Sequence, residues 1–182
     1  ALGVYAMGRA LGIERGDLLE GFATFRGVKR RQEIKGERRG ILVIDDFAHH
    51  PTAVAETIDA IRSAYPNRRL WALFEPRSNT SKRNIFETEF ARSLAQADRV
   101  IISDLYQPEK VPVAERLSVA SVVAEINRIA GTERAIKIAD SQEIAAHVST
   151  HGMAGDVVLA MSNGAFDGVH DKILTALSVD HL

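Results

Sequence analysis

The sequence predicts an α/β fold: a Rossmann-like, mostly parallel sheet of about six strands with helices on both faces. Two observations carry this. Short apolar runs alternate with amphipathic segments of about a dozen residues, an order that produces crossovers between parallel strands. The runs ILVI (41–44), RVII (99–102) and VVLAM (157–161) are nearly continuous in apolar residues rather than alternating, as in strands buried on both faces. At 182 residues the chain amounts to one full domain and part of another.

Residues 2–11 and 17–25 read as short helices parted by Gly12 and Gly16. From Arg26 to Arg39 seven basic residues stand against Glu33 and Glu37, which suits a solvated linker or an anion-binding hinge. Segments 32–37 and 41–45 form a hairpin closed at Gly40. The helix expected over 52–65 aligns Val54, Ile58, Ile61 and Tyr65. Pro51 starts it, where a missing N–H has no intrahelical partner to lose. Strand 69–74 precedes helix 84–95, with Phe86, Phe90 and Leu94 on one face. Strand 99–103 is followed by a long loop containing Pro108 and Pro112, then helix 118–129. Strand 135–138 leads to Asp140, which with Glu143 has capping-box spacing for helix 141–148. Strand 157–161 runs into loop 162–168 and helix 169–177.

Composition narrows the function. The 23 Lys and Arg balance 24 Asp and Glu, which argues against a general nucleic-acid binder. No apolar run approaches the ~18 residues of a membrane span, and no secretory leader is visible, so a cytoplasmic protein is expected. There is no cysteine, which removes thiol nucleophiles, Cys-rich zinc sites and disulfides.

Ligands of such sheets bind beyond the carboxyl ends of the strands. Unusual residues gather there: DDFAHHP (45–51), EPRSNTS (75–81), DLYQPEK (104–110) and SNGAFDG (162–168). The opposite-end loops, 66–68 and 131–134, read as generic turns. Neighbouring strand residues face opposite ways, so Asp45 and Asp46 divide into one cleft residue and one structural hydrogen-bonder. His49 and His50 lack a metal-ligand partner motif, and no metal site is expected. His147, His151 and His181 read as surface or end positions, and His170 starts the last helix beside loop 162–168. Glu75 is placed to pair with Arg77. No GxxxxGK[ST], GxGxxG or GxSxG motif is present. The residues look like half of a site.

The runs GVKRRQEI (27–34), VIDDFAHHPTA (43–53), FEPRSNTS (74–81) and MSNGAFDGVH (161–170) together resemble the C-terminal domain of the Mur ligases, over residues 26–178. Within that family the EPRSNTS and SNGAF loops resemble the branch that takes a preformed cell-wall tripeptide rather than the one that adds alanine. SNGAFDG stands where the family pattern is SNGGFGG, which implies less backbone freedom at Ala165 and Asp167.

The resemblance implies a three-domain enzyme in which ATP phosphorylates the carboxylate of UDP-N-acetylmuramate and the peptide amine attacks the acyl phosphate. Residues 1–28 would be the helical tail of the central ATPase domain and the hinge. Residues 29–182 would be the C-terminal Rossmann-like domain, working with the protein's own N-terminal and central domains. The resemblance implies ATP contacts at Arg31, against adenine and ribose, at Asp46, on the ribose hydroxyls, and at His49. It implies peptide contacts at Arg77, Ser78, Asn79 and Ser81, with Ser162, Asn163 and Gly164 closing the other side. ATP and Mg²⁺ would be held mainly by the central domain, and no catalytic set would be complete in this chain. Neither nucleic acid nor membrane is an expected partner. Alanine-adding and folate polyglutamate ligases on the same scaffold, a receiver-like acid pocket using Asp45, Asp46 and Asp104, and a stand-alone nucleotide- or peptide-binding module remain alternatives. Roles for His50, His170 and Asp104 stay open.

Overall fold

The structure, a computed structural model, describes residues 2–25 and 27–178; His181 lies outside them. In chain order the elements are α1 (Leu2–Ala10), α2 (Arg15–Thr24), β1 (Glu33–Arg38), β2 (Ile41–Asp46), α3 (Pro51–Ala64), β3 (Leu70–Phe74), α4 (Glu87–Leu94), β4 (Arg99–Ile102), α5 (Val119–Ala130), β5 (Ala135–Lys137), α6 (Ser141–His151), β6 (Val157–Met161) and α7 (Val169–Ser178). The strands form one sheet in the order β1-β2-β6-β3-β4-β5, with β1 antiparallel and the rest parallel. The expected Rossmann-like α/β fold is what forms.

Most boundaries fall within about two residues of expectation, and two helices differ by more. The helix expected over 84–95 opens as a 3-10 turn, Asn84–Phe86, because Phe86 leaves helical geometry at φ −123°, ψ 18°. Helix α6 runs on to His151, since nothing before Gly152 interrupts it. Its start is as the spacing predicts: Asp140 accepts from the backbone N–H groups of Gln142 and Glu143. The β1–β2 turn places Arg39 and Gly40 at φ +52° and +72°, both left-handed, as a two-residue hairpin with right-twisted strands requires.

Each face of the sheet carries its own apolar cluster. Helices α3, α4 and α5 cover one through Val54, Ile58, Ile61, Phe90, Leu94, Val122 and Ile126. Helices α6 and α7 cover the other through Ile144, Val148, Val169 and Ile173. No residue before Ile41 belongs to either cluster among the described residues. Helices α1 and α2 meet each other where Leu18 packs on Gly8, and leave Val4, Ile13, Phe22 and Phe25 around an open apolar hollow. No described helix is long and apolar enough to cross a membrane.

The amino-end loops are not generic turns. Arg68 donates to the carbonyls of Gly40 and Gly155 and pairs with Glu37, joining three loops. Next to it, buried Asp156 accepts from Arg69 Nε (2.9 Å) and Nη2 (2.6 Å), Trp71 Nε1 (2.9 Å) and the Met153 N–H (2.9 Å). His147 is half-buried rather than a surface residue, edge-on to Trp71 and stacked on His151. Burial, His151 and Arg99 all push its imidazole pKa down.

Burial alone would raise the Asp156 carboxyl. The Arg69 bond, the Met153 N–H and the Trp71 N–H outweigh it and hold the group below its usual 3.8. A depressed carboxylate stabilises the fold above its unfolded pKa, and that contribution is lost as the pH falls through the lowered folded value. Asp156→Ala is therefore expected to cost about 3–5 kcal/mol near neutral pH by stranding Arg69 and the Trp71 N–H. Urea titrations at neutral pH and at about pH 3 should show the gap between parent and variant narrowing in acid.

Candidate functional site

Strand β6 pairs with β2 on one side and β3 on the other, so the loops leaving these three carboxyl ends are neighbours. The ladder continues into them. Ser162 N–H donates to the Asp46 carbonyl (3.2 Å) and Glu75 N–H to the Met161 carbonyl (3.1 Å). The chain also changes faces here, since the crossovers before β5 lie on one face and α6 and α7 on the other. Such a switch point is where open α/β sheets hold ligands.

On the β2 side, Arg31, Gln32, Asp46, Ala48, Ala53, Glu56 and Thr57 line a cleft of about 210 Å³. Asp46 is buried at its floor. One carboxylate oxygen accepts from Ala48 N–H (2.7 Å) and the Thr57 hydroxyl (3.3 Å), the other from Gln32 N–H (2.9 Å). Arg31 is exposed, its guanidinium 5.3 Å from the Phe47 ring centre. The structure thus brings Arg31 and Asp46 together. It leaves His49 outside that cleft, with Nδ1 2.8 Å from the Phe47 carbonyl. Glu56 and Thr57 were not legible as site residues, because on sequence they are only the polar flank of an amphipathic helix.

On the β3 side, the Arg77 guanidinium lies 3.6 Å above the Tyr106 ring, and its Nη1 is 3.6 Å from Glu75 Oε1. The other Glu75 oxygen accepts the Ser162 hydroxyl at 2.5 Å, and Ser162 Oγ accepts Gly164 N–H at 2.9 Å. A Cβ on Gly164 would sit 2.0 Å from Arg77 Nε, so only glycine lets the arginine pass. Loops 75–81 and 162–168 therefore meet, with Arg77, Ser162 and Gly164 in contact or one residue apart. Asn163 Oδ1 is buried with no hydrogen-bond partner among the described residues. Ser78 and Ser81 differ from expectation: their hydroxyls bond each other (2.9 Å), and each accepts from the other's N–H, pinning the loop. Ser81 is fully buried rather than open to a ligand, while Asn79 is exposed.

Asp45 and Asp46 do divide in role. Asp45 sits between Arg30 Nε (3.4 Å) and His170 Nε2 (3.2 Å). The latter contact is close but poorly aligned as a hydrogen bond. Burial pushes the Asp45 carboxyl up, but His170 and Arg30 together hold it below its usual range. Arg30 was hidden by its neighbour Arg31, and Tyr106 by a loop without periodicity.

Loop 162–168 takes the left-handed region despite its side chains, at Phe166 (φ +46°) and Asp167 (φ +47°) before Gly168 (φ +65°). Asp167 is held there by the Ser141 hydroxyl and Lys172 Nζ, each at 2.7 Å. The smaller backbone freedom expected at Asp167 is thus overcome by side-chain bonds. Asp104 pairs with Lys137 at the far edge of the sheet, and β6 and β3 separate β4 from β2. A receiver-like acid pocket does not form. His50 caps the start of α3 without a side-chain bond and meets Phe86 edge-on. No three His, Asp or Glu side chains converge as a metal site among the described residues.

Gly164→Ala tests the loop contact. Its backbone conformation admits alanine, so the expected effect is displacement of Arg77 from Tyr106 at a stability cost near 1 kcal/mol. Shifts of the Arg77 Nε–H and Tyr106 ring resonances, with β6 amides unmoved, would record it.

The family described as Mur ligase, glutamate ligase domain, matches residues 30–164. The Escherichia coli (strain K12) UDP-N-acetylmuramate–L-alanyl-γ-D-glutamyl-meso-2,6-diaminoheptandioate ligase is 39% identical over 95% of this chain and 35% of its own length. The Endomicrobium trichonymphae UDP-N-acetylmuramate–L-alanine ligase is 38% identical over 90% of this chain and 35% of its own. The chain thus spans about a third of the length of these curated relatives. Among solved structures, a murein peptide ligase from Psychrobacter arcticus superposes with a TM-score of 0.71 at 35% identity, covering 90% of this chain and 33% of that one. A lone domain from a Haemophilus ducreyi protein described as a UDP-N-acetylmuramate:L-alanyl-γ-D-glutamyl-meso-diaminopimelate ligase is matched over its whole length and 81% of this chain, at 37% identity and a TM-score of 0.61. Because the family match runs from Arg30 through all six strands to Gly164, this chain belongs to the Mur ligase family through its glutamate ligase domain.

Proposed function

We propose that this chain is the C-terminal portion of an ATP-dependent, amide-forming murein peptide ligase. The intact protein would join L-alanyl-γ-D-glutamyl-meso-diaminopimelate to UDP-N-acetylmuramate in peptidoglycan recycling. The observation that carries this reading is the wedge of Arg77 between Tyr106, Glu75 and Gly164. A guanidinium at the end of a parallel strand can grip a carboxylate with two parallel bonds, and a peptide with several carboxylates needs its direction fixed so that its amine meets the acyl phosphate. Asn79 and the unspent Asn163 acceptor supply neutral contacts nearby. Ser162 holds Glu75 away from full pairing with Arg77, leaving the guanidinium free to engage substrate.

The β2-side cleft suits part of a nucleotide. At about 210 Å³ it admits a ribose rather than a whole ATP. Asp46, with three of its acceptor positions used, keeps one for a ribose hydroxyl, and exposed Arg31 supplies a flat cation for a base. The triphosphate and Mg²⁺ would lie with the central domain. Residues 1–28 would be the end of that domain, which would also cover the hollow around Val4, Ile13, Phe22 and Phe25. ATP phosphorylates the muramate carboxylate in this reading, and the residues of this chain orient nucleotide and amine.

An alanine-adding ligase is the second reading, favoured by the Endomicrobium relative at nearly equal identity. Assays of the full-length enzyme with tripeptide, free L-alanine and L-glutamate as amine donors decide between them. Turnover with alanine alone rejects the tripeptide reading.

Two variants separate the clefts. Arg31→Ala is expected to raise the KM for ATP about 10-fold, with Arg31→Lys restoring only part, because an ammonium does not stack as a guanidinium does. Arg77→Ala should raise the peptide KM by about 10- to 100-fold with ATP KM nearly unchanged. The 182-residue chain by itself should neither hydrolyse ATP nor form an amide; steady turnover by the purified domain would refute the half-site assignment.

A further inference from the structure

Between the Asp46 cleft and the Arg77 loops stands a residue that has so far been given no role. Arg30 Nη2 donates to the carbonyls of both Ser162 (2.6 Å) and Gly164 (2.5 Å), bridging the turn that follows β6. Its Nε lies 3.4 Å from buried Asp45, which His170 supports from the far side. Its own backbone is held in the left-handed region, at φ +59°, a conformation that a non-glycine residue keeps only when its surroundings enforce it. They do so twice: Arg30 N–H donates to the Glu33 carboxylate (2.8 Å), and the Arg30 carbonyl accepts Phe47 N–H (2.9 Å). Two residues on, Gln32 repeats the conformation at φ +51° and donates its N–H to Asp46. The hinge is thus fastened at Arg30 to one cleft and at Gln32 to the other, with Arg31 exposed between them.

We propose that Arg30 is a positioning residue that sets the Ser162–Gly164 wall of the peptide cleft, and through Gly164 the seat of Arg77. This rests on the peptide reading of that cleft. Gly164 and Arg77 are in van der Waals contact, so a shift of the turn by a fraction of an ångström moves the guanidinium with it. Two carbonyls and a carboxylate, arranged around one planar group, need the fork of a guanidinium. A lysine ammonium at the Nη2 position has donors for both carbonyls but no second nitrogen to face Asp45. Asp45 is the second part of the device. By neutralising Arg30 in a half-buried position it lets the cation stay at the carbonyls rather than turn to water.

The test uses two preparations. In the 182-residue chain, whose Haemophilus ducreyi relative was solved as a lone domain, amide exchange is followed residue by residue in Arg30→Lys, Arg30→Gln and Asp45→Asn. The Gly164 amide should exchange about tenfold faster in Arg30→Gln, less so in Arg30→Lys, while Val158 and Leu159 in the core of β6 keep their protection. In the full-length ligase, Arg30→Gln should raise the peptide KM about tenfold with the KM for ATP little changed, and Arg30→Lys should fall between. Equal acceleration at Gly164 and Val158 would mean general loss of stability and overturn the proposal, as would parent-like exchange at Gly164 in Arg30→Gln. If Gly164 loosens selectively while Arg30→Gln and Arg77→Ala both leave the peptide KM at the parent value, the peptide reading of the cleft fails instead, and Arg30 retains its hold on the turn. If Arg77→Ala raises the peptide KM and Arg30→Gln does not, the positioning role is refuted.

Discussion

The insertion of β6 between β2 and β3 governs the rest of the molecule. It is the last strand among the described residues, yet it completes the sheet at its centre and pairs in parallel along both edges. Until it docks, β2 and β3 have no partner between them and the two halves of the sheet are separate. Once docked, its carboxyl end delivers loop 162–168 between the two clefts, and its amino end delivers Asp156 to Arg69 and Trp71. The same strand fixes the architecture at one edge and the candidate site at the other. Pairing partners so distant in sequence carry a loop-closure cost, which slows folding.

Arginine is the main fastener around this strand, and it works mostly on backbone carbonyls. Arg30 holds Ser162 and Gly164, Arg68 holds Gly40 and Gly155, and Arg134 holds Ala95 and Ala97. Each joins segments far apart in sequence with donors fixed in a plane. Exposed ion pairs contribute little by comparison. The buried carboxylates Asp45 and Asp156 matter because they keep one of these guanidinium groups, that of Arg30, and a further one, that of Arg69, in place inside the fold.

Much of the fold was legible in the sequence, because buried parallel strands and amphipathic crossover helices write their periods directly into it. ILVI, RVII and VVLAM announced themselves, and Asp140 announced its helix. The long-range fasteners did not. Nothing around Arg68 or Asp156 distinguishes them from ordinary turn residues, since their partners lie 28 and 87 positions away. The site was legible in part for the same reason. Asp46 and Arg77 stood out through their motifs, and the alternation of strand faces separated Asp45 from Asp46. Motif reading chose Arg31 over Arg30, and only the geometry shows that Arg31 lines the Asp46 cleft while Arg30 reaches the Ser162–Gly164 turn. Ser81 looked like an exposed hydroxyl because a reciprocal turn with Ser78 leaves no trace in composition.

The wedge of Arg77 against Gly164 also bears on how this protein ages. Requiring glycine at 164 places it directly after Asn163, and an asparagine followed by glycine is the pair most prone to cyclise and lose its amide, one reason asparagine is a thermolabile residue. That reaction needs the Gly164 backbone nitrogen to swing onto the Asn163 side chain. Here the nitrogen is occupied by the Ser162 hydroxyl, and the carbonyls on either side are gripped by Arg30. The clasp that fixes the turn therefore also restrains the backbone geometry through which Asn163 would lose its amide.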